Sequence, residues 1–412
     1  MSSNTIPLDV DFVRNQFPAF NSPHLKDQSF FENAGGSYTA RHVIDKLTQF
    51  YTHHKVQPYS PFPASEAAGH AMDQSLEVIS EMLNVASSTI HFGPSTSQNT
   101  YVLAQALRES NPTKKTVVVT NQDHEANTGA WRKLEKAGFT IREWRVNPES
   151  GALLLDDLNS LLDNTVNLVT FPHCSNIVAY ENPVAEICRV IKHSGAKSCV
   201  DGVSFAPHCF PDLSELGADT YLFSSYKTYG PHLGIMYITE EFNDLLCNQG
   251  HYFNSHDPSK RLTPAGPDHA QIAAAGGIAD YIEAIYDHHY EKSTTLAQKT
   301  KLVGQMQRSH EMNLLQPLLD YLIHSRKAKI LGSSTASERL PTVSLNLDKP
   351  AEAVANSLAQ HKIMTSGGDF YAVRLLDVLG VKQENGVLRL SFVHYTSKED
   401  IDRLLDALDS VL

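Results

Sequence analysis

Short apolar runs separated by helical patterns are the feature that most constrains the fold of this chain. The runs are rich in β-branched and aromatic residues and occupy positions 89–92, 116–119, 166–170, 198–200, 220–223 and 233–238. Strands that are buried on both faces of a sheet read as continuous apolar runs of this kind. The pattern therefore predicts an α/β fold with a mainly parallel sheet covered by helices.

Helical patterns fill the intervals between these runs, at 43–53, 66–83, 98–107, 182–193 and a long stretch from 271 to about 306. After Ala328 the pattern changes to mixed short strands and helices, and it ends in a helical segment from Lys398 to Leu412. This change predicts a smaller C-terminal domain, with a boundary between about residues 290 and 307.

Charge and composition exclude several classes of function. The net charge of −12 and the pI of about 5.9 argue against nucleic-acid binding, which needs clustered Lys and Arg. No run approaches the roughly 20 apolar residues of a membrane span, and Met1 to Thr5 lacks the basic start of a signal peptide, so we expect a cytoplasmic protein. The five cysteines form no CxxC pair and the 20 histidines no HxxxH pair, so we expect free thiols and no metal site.

Asp201 and Lys227 stand at the ends of two successive predicted strands, separated by about one helical crossover and a strand. Ligands bind at such strand ends in open α/β sheets. A lysine held in a pocket can form an imine with an aldehyde cofactor, and an aspartate can keep a pyridine nitrogen protonated. Taken alone, Lys227 reads more simply as a solvated lysine and Asp201 as a helix cap.

The segment from Gly93 to Asn99 follows a predicted strand and opens a helix. Backbone N–H groups and the helix dipole can hold a phosphate at such a point. We expect Ser95 and Thr96 to be its donors, and the same residues also to cap the helix.

An ordered set of motifs spans nearly the whole chain. It includes Phe30-Phe31-Glu32-Asn33-Ala34-Gly35-Gly36-Ser37, Asp123-His124-Glu125-Ala126, Val200-Asp201-Gly202, Ser224-Ser225-Tyr226-Lys227-Thr228-Tyr229-Gly230-Pro231 and Tyr395-Thr396-Ser397-Lys398. In this order they resemble the class V aminotransferase and cysteine desulfurase family of fold type I enzymes, which use pyridoxal 5'-phosphate (PLP).

The resemblance implies a fold and an assembly. It implies a large PLP-binding α/β domain with a seven-stranded, mainly parallel sheet at 21–295 and a small α+β domain at 296–412. It further implies an N-terminal segment, 1–20, that packs with the small domain. A homodimer that acts on a small amino acid is expected.

The resemblance also implies roles for three central residues. Lys227 forms the Schiff base with PLP and then acts as the base at Cα of the substrate. Asp201 pairs with the pyridine nitrogen, and its replacement by Asn is expected to abolish most activity. His124 stacks on the cofactor ring and relays protons, although it also reads as a histidine of the core.

Further residues match cofactor and substrate positions of the family. The resemblance implies that the cofactor is bound by Ser95, Thr96, His124, Asn176, Asp201, Ser204, Ser224, Tyr226 and Lys227. Tyr226 stands where desulfurases carry histidine. The substrate is expected to contact Asn33, Asn176 and Arg389, with Arg389 gripping its carboxylate through a bidentate fork. Asn176 also reads as a loop brace and Arg389 as half of a structural ion pair.

The chain departs from the family pattern at two places. There is no cysteine after Cys247, so the stretch Thr365-Ser366-Gly367-Gly368-Asp369-Phe370-Tyr371-Ala372 lacks the nucleophile that desulfurases present there. A persulfide relay through that loop is excluded, and the chain resembles the subgroup without a catalytic cysteine. Pro267 stands where relatives carry a threonine that reaches the neighbouring subunit's phosphate.

These features favour C–S cleavage by β-elimination on a cysteine-like amino acid, with no protein persulfide. A class V aminotransferase or an amino-acid epimerase is the alternative, and a non-catalytic PLP-binding protein is a third hypothesis. The motifs do not define the side chain of the substrate or the roles of Asp369 and Tyr371.

Overall fold

The computed structural model describes residues 6–412, so Met1 to Thr5 and the start of the predicted 1–20 segment lie outside the described residues. The strands are β1 Ser29–Phe30, β2 Ile90–Gly93, β3 Thr116–Thr120, β4 Thr140–Trp144, β5 Val166–Pro172, β6 Lys197–Asp201, β7 Thr220–Ser224, β8 Gly234–Ile238, β9 Lys329–Ile330, β10 Thr342–Asn346, β11 Ile363–Met364, β12 Ser366–Gly368 and β13 Val387–Ser391.

The α-helices lie between these strands and vary in length from four residues to thirty. They are α1 Val10–Asn15, α2 Arg41–His53, α3 Pro63–Met82, α4 Thr96–Glu109, α5 Glu125–Arg132, α6 Leu155–Leu161, α7 Val184–His193, α8 Leu213–Leu216, α9 Glu240–Asp244, α10 His269–Ala275, α11 Gly277–His289, α12 Leu296–Ser325, α13 Ala351–Gln360, α14 Val373–Val378 and α15 Lys398–Val411.

A seven-stranded sheet forms the centre of the larger part, in the order β2-β8-β7-β6-β5-β3-β4. Strand β8 runs antiparallel to β2 and β7, and the other pairs are parallel. Side chains alternate between the faces: Val118 belongs to one buried cluster, whereas Val117 and Val119 belong to another. The predicted α/β fold with a seven-stranded, mainly parallel sheet is therefore confirmed.

The C-terminal part contains a four-stranded antiparallel sheet in the order β12-β13-β10-β9. Helices α12, α13 and α15 pack around a second apolar cluster, which includes Phe31, Leu388 and Leu404. Strand β1 pairs in parallel with β11, Ser29 opposite Ile363. The chain segment at 29–31 thus contributes to the C-terminal part although it precedes the large sheet in sequence.

Helix α12 connects the two clusters. Its first half, with Val303 and Met306, packs in the core of the large sheet, and its second half, with Leu315 and Leu318, packs in the C-terminal cluster. We keep residue 296, where this helix begins, as the proposed domain boundary. The long helical stretch predicted from 271 to about 306 is helical for most of its length, but Gly276 separates α10 from α11 and a polar, non-helical segment lies between His289 and the start of α12.

Candidate active site

The predicted site residues converge at one edge of the large sheet. Most of them lie at or just after the carboxyl ends of β2, β3, β5, β6 and β7, which all run in the same direction, and Arg389 comes from β13. Together they line a cavity of about 670 Å³. The cavity contains all but one of the predicted residues: Ser95, Thr96, His124, Asn176, Asp201, Ser204, Ser224, Tyr226, Lys227 and Arg389.

Lys227 ends a short 3-10 turn directly after β7. Ser37 braces this turn, since its hydroxyl accepts the N–H of Tyr229 at 2.8 Å and its own N–H donates to the carbonyl of Tyr226 at 3.1 Å. Burial, and secondly the charge of Arg389, lower the pKa of Lys227 to about 8. The neutral fraction of Lys227 near physiological pH is therefore far larger than that of an ordinary lysine, and the neutral amine is the form that acts as nucleophile or base.

Asp201 is the last residue of β6 and is buried. Its Oδ1 accepts the N–H of Val203 at 2.9 Å. Burial raises the pKa of Asp201 to about 6, and the nearby ammonium of Lys227 opposes that rise. A carboxylate in this position is most stable beside a cation, which a protonated pyridine supplies. This chemistry fits a PLP ring nitrogen.

His124 is the N-cap of α5, and its Nδ1 accepts the N–H of Ala126 at 3.0 Å. Burial, then the charges of Lys227 and Arg389, lower its pKa to about 3. The imidazole is therefore neutral and carries its proton on Nε2. A neutral aromatic ring on the cavity wall suits stacking on a cofactor ring.

The N-terminus of α4 forms a polar cradle. Ser95 caps this helix through Gln98 N–H at 3.2 Å, and the hydroxyls of Thr96 and Ser224 lie 2.8 Å apart. A Cβ on Gly234 would lie 2.5 Å from the nitrogen of Thr96, so only glycine lets β8 approach so closely. Hydroxyls at the N-terminus of a fourteen-residue helix fit a phosphate group.

Two further predicted residues line the middle of the cavity. The ring of Tyr226 stacks on His232, with centroids 4.6 Å apart, and both side chains line the cavity. Ser204 lines the main cavity and also a small adjoining void that Lys227 and His208 share.

Arg389 enters the cavity from β13 and is 4% exposed. Its Nη2 donates to Oε1 of Glu32 at 2.7 Å, and its guanidinium lies 3.8 Å from the ring centroid of Phe370. Burial lowers its pKa, and Glu32 opposes that effect. Arg389 therefore belongs to an ion pair and lines the cavity at the same time, so the two interpretations of the sequence are compatible.

The loop at residues 369–372, here called the lid loop, closes one side of the cavity. Asn176 donates from Nδ2 to the carbonyl of Phe370 at 3.0 Å, and the N–H of Glu125 donates to the carbonyl of Tyr371 at 2.8 Å. Phe370 and Tyr371 both adopt left-handed backbone angles, with φ of 51° and 56°. Because such angles are costly for bulky residues, these contacts hold a strained conformation in place.

Asn33 is the predicted residue that the structure does not bring into this cavity. Its Nδ2 donates to the carbonyls of Phe30 and Ser391, both at 3.2 Å, and the Tyr395 hydroxyl donates to its Oδ1. The amide is thus engaged in joining the segment after β1 to β13. Its neighbour Glu32, for which the motifs predicted no role, lines the cavity instead.

Sequence reasoning also missed Phe370, which faces Arg389 from the lid loop. The sequence feature that could have indicated it is an aromatic residue in the loop where desulfurases carry cysteine.

Within residues 6–412, no group of three or more His, Cys, Asp or Glu side chains is arranged to hold a metal ion. None of the helices in these residues combines the length and the apolar character of a membrane span.

Comparison with known proteins agrees with the geometry. The aminotransferase class-V family model matches residues 29–404. An aminotransferase-like protein, FGM3, from Gibberella zeae is 30% identical, with both chains covered in full. A cysteine desulfurase-like protein, ustD, from Aspergillus flavus is 27% identical over 98% of this chain and 91% of that protein.

Solved structures show the same fold. The apo cysteine desulfurase from Thermococcus onnurineus superposes with a TM-score of 0.84 at 23% identity, and covers 100% of this chain and 99% of the other. The cysteine desulfurase CsdA from Escherichia coli superposes with a TM-score of 0.81 at 20% identity, with 98% of each chain covered. The predicted fold type and PLP as cofactor are confirmed. The chain belongs to the class V aminotransferase family of PLP-dependent enzymes.

Proposed function

We propose that this protein is a lyase that cleaves the Cβ–S bond of a small cysteine-like amino acid by β-elimination, without a protein persulfide. The observation that carries the proposal is a cavity that combines Lys227, Asp201 and Arg389 with a lid loop that has no thiol. Cys174 lines the cavity, but burial raises the pKa of its thiol and keeps it protonated and unreactive.

The residues present fit PLP, and each would hold a different part of it. The hydroxyls of Ser95, Thr96 and Ser224 would bind the phosphate, Asp201 would pair with the ring nitrogen, and His124 would cover the ring. When bound, PLP supplies an aldehyde for the substrate amine and a ring that withdraws electron density from Cα.

Three features of the chain would drive the elimination. Arg389 binds the α-carboxylate through donors that Glu32 leaves free, since Nε has no partner among the described residues. Lys227, with a pKa of about 8, removes the Cα proton. The lid loop reduces access of water.

The atoms balance without a further reactant other than water. The Cα proton moves to Lys227, the Cβ–S bond breaks, and the sulfur leaves as a thiolate with the bonding electron pair. The remaining enamine, after release, takes up water and yields pyruvate and ammonia.

Product analysis tests the proposal. PLP-loaded protein is incubated with L-cysteine and related thiol and sulfinate amino acids, with Lys227→Ala as control. Pyruvate and ammonia in equal amounts with the sulfur product are expected. Alanine as the product means desulfuration by another route, and the absence of all these products overturns the lyase assignment in favour of a wider search among transaminase and epimerase substrates.

We further propose a cytoplasmic homodimer, which the family resemblance supports. Light scattering on the purified, PLP-loaded protein measures the assembly. A mass of one chain at micromolar concentration contradicts this part of the proposal.

A further inference from the structure

Glu32 places a carboxylate in the cavity with only half of its hydrogen-bonding capacity used. Oε1 accepts from Arg389 at 2.7 Å, whereas Oε2 is shielded from water and accepts no hydrogen bond from residues 6–412. The side chain as a whole remains 22% accessible and lines the same cavity as Lys227. Because the side chain borders the cavity, a rotation of its carboxylate brings the shielded Oε2 to a donor carried by a ligand.

The balance of charge around the cavity is uneven. Of the described residues that line it, two are cationic, Lys227 and Arg389. In the proposed reaction Arg389 meets the α-carboxylate and Lys227 handles the Cα proton, so neither is free for the side chain of the substrate. Three carboxylates line the cavity, and Asp201 is assigned to the ring nitrogen of the cofactor. The one that remains besides Glu32 is Glu125, at the rim, which has Arg374 at 3.8 Å as a weak, exposed partner.

We propose that Glu32 determines the substrate class: the enzyme selects amino acids whose side chain ends in a positively charged hydrogen-bond donor, and it rejects acidic side chains. This inference rests on the proposed function for the place of the α-carboxylate. A carboxylate oxygen without a donor in a water-poor site is unstable, and a cation relieves that instability. An acidic side chain would instead add a further negative charge beside Glu32, where the one neighbouring cation among the residues that line the cavity, Arg389, is already shared between Glu32 and the α-carboxylate.

Three cysteine derivatives of similar length test the charge preference. They are S-(2-aminoethyl)-L-cysteine, S-propyl-L-cysteine and S-(carboxymethyl)-L-cysteine, which end in an ammonium, a methyl and a carboxylate group. Dissociation constants are measured with PLP-loaded protein from the absorbance of the bound cofactor, and pyruvate release is measured in parallel. We expect the ammonium derivative to bind about tenfold tighter than the propyl derivative, which in turn binds tighter than the acid.

A second series separates binding from C–S cleavage. L-ornithine, L-norleucine and L-glutamate carry the same three kinds of end group and have no C–S bond. The same order of dissociation constants is expected with no pyruvate release.

Glu32→Gln is the decisive variant. Glutamine keeps an acceptor for Nη2 of Arg389 but loses the negative charge, so the preference for the ammonium over the propyl derivative is expected to fall to about twofold or less. Glu125→Gln removes one charge at the rim and serves as the matched control, which should retain most of the preference.

The outcomes distinguish this inference from the proposed function. Equal dissociation constants within each series overturn the assignment to Glu32, even where pyruvate is produced. The same holds if Glu32→Gln and Glu125→Gln reduce the preference for the ammonium derivative by the same factor. The expected order of dissociation constants without pyruvate from any cysteine derivative supports the charge selection and contradicts the lyase assignment.

Discussion

At the scale of single residues, burial controls the ionisable groups of the cavity. It lowers the pKa of Lys227 to about 8 and raises the pKa of Asp201 to about 6. Asp123, a buried neighbour of His124 that accepts hydrogen bonds from Asn127 and Thr120, has its pKa raised to about 7 by the same effect. Burial thus brings the pKa values of an amine and a carboxylate closer to neutral pH and to each other. Proton transfer between two groups is easiest when their pKa values are similar.

The pKa of Lys227 predicts the pH dependence of cofactor capture. Only the neutral amine attacks an aldehyde, and the amine is neutral above its pKa. The rate at which protein stripped of cofactor takes up PLP should therefore rise with pH, with a midpoint near 8. Stopped-flow absorbance measures this rate. A midpoint near 10.5, the ordinary value for lysine, would show that the amine is solvated.

Asp201→Asn tests the role of the carboxylate. The amide is similar in size and can still accept the N–H of Val203, so the fold and cofactor content should be preserved. Without the negative charge the ring nitrogen loses its partner, and kcat should fall by about 100-fold or more. Steady-state kinetics and cofactor absorbance measure the two effects. Unchanged kcat would remove Asp201 from the mechanism.

At the scale of elements, the lid loop joins two parts of the molecule over the cavity. Its backbone is held by the amide of Asn176, from the segment after β5, and by the first N–H of α5. Its side chains do different work, because Phe370 covers Arg389 and Tyr371 lies 5.2 Å from the ring of His124. Hydrogen bonds to the backbone therefore fix the position of the lid loop, whereas its side chains determine which groups face the cavity.

Asn176→Ala should loosen the lid loop. The variant loses one hydrogen bond worth about 1 kcal/mol, so hydrogen–deuterium exchange at residues 369–372 of the substrate-free protein should increase about fivefold. This readout does not depend on contact with substrate. Arg374→Ala, which removes the exposed pair with Glu125, is the control and should leave exchange nearly unchanged. Unaltered exchange in Asn176→Ala would contradict the anchoring role.

Elements of the large sheet were predictable to different degrees. Buried strands such as β5 and β7 are continuous apolar runs, and the sequence predicts them well. Strand β4, Thr140–Trp144, was missed because it lies at the sheet edge and carries polar residues that are exposed or half-buried. The break near Gly276 was missed because glycine does not interrupt the apolar pattern there.

At the scale of the whole molecule, distant segments meet around Asp400. This residue accepts from Arg14 of α1 at 2.7 Å and from the hydroxyl of Ser29 of β1 at 2.8 Å, while it also caps α15 with Ser397. Segments from both ends of the chain are thereby joined. Arg14 further donates to the carbonyl of Tyr395 at 3.0 Å.

Asp400→Ala should destabilise the protein by about 2 to 4 kcal/mol, because it leaves the partly buried Arg14 without its carboxylate and removes a helix cap. Thermal unfolding of the PLP-loaded protein should show a midpoint several degrees lower. Lys398→Ala, in the same turn, removes an exposed pair with Asp402 and should change stability by less than about 0.5 kcal/mol. Equal effects of the two variants would contradict a special role for Asp400.

The same long-range contacts explain which site residues could be predicted. Residues at strand ends, such as Asp201 and Lys227, follow from the local pattern of strand and turn. The choice between Glu32 and Asn33 depends on how the segment after β1 lies against β13, Glu32 opposite Ser391. That pairing joins positions more than 350 residues apart, and a local pattern carries no information about it.

The lid loop is anchored through its main chain, which leaves its side chains free to vary as new activities arise on this scaffold. Carbonyls at Phe370 and Tyr371 hold the loop, and a carbonyl is common to all residue types. Mutation can therefore change the side chains that the lid loop presents to the substrate without removing the hydrogen bonds that hold the loop over the cavity. The side chains of the lid loop can therefore be exchanged while its backbone stays in place. A cysteine introduced into this loop by protein engineering would test whether the scaffold can support persulfide chemistry.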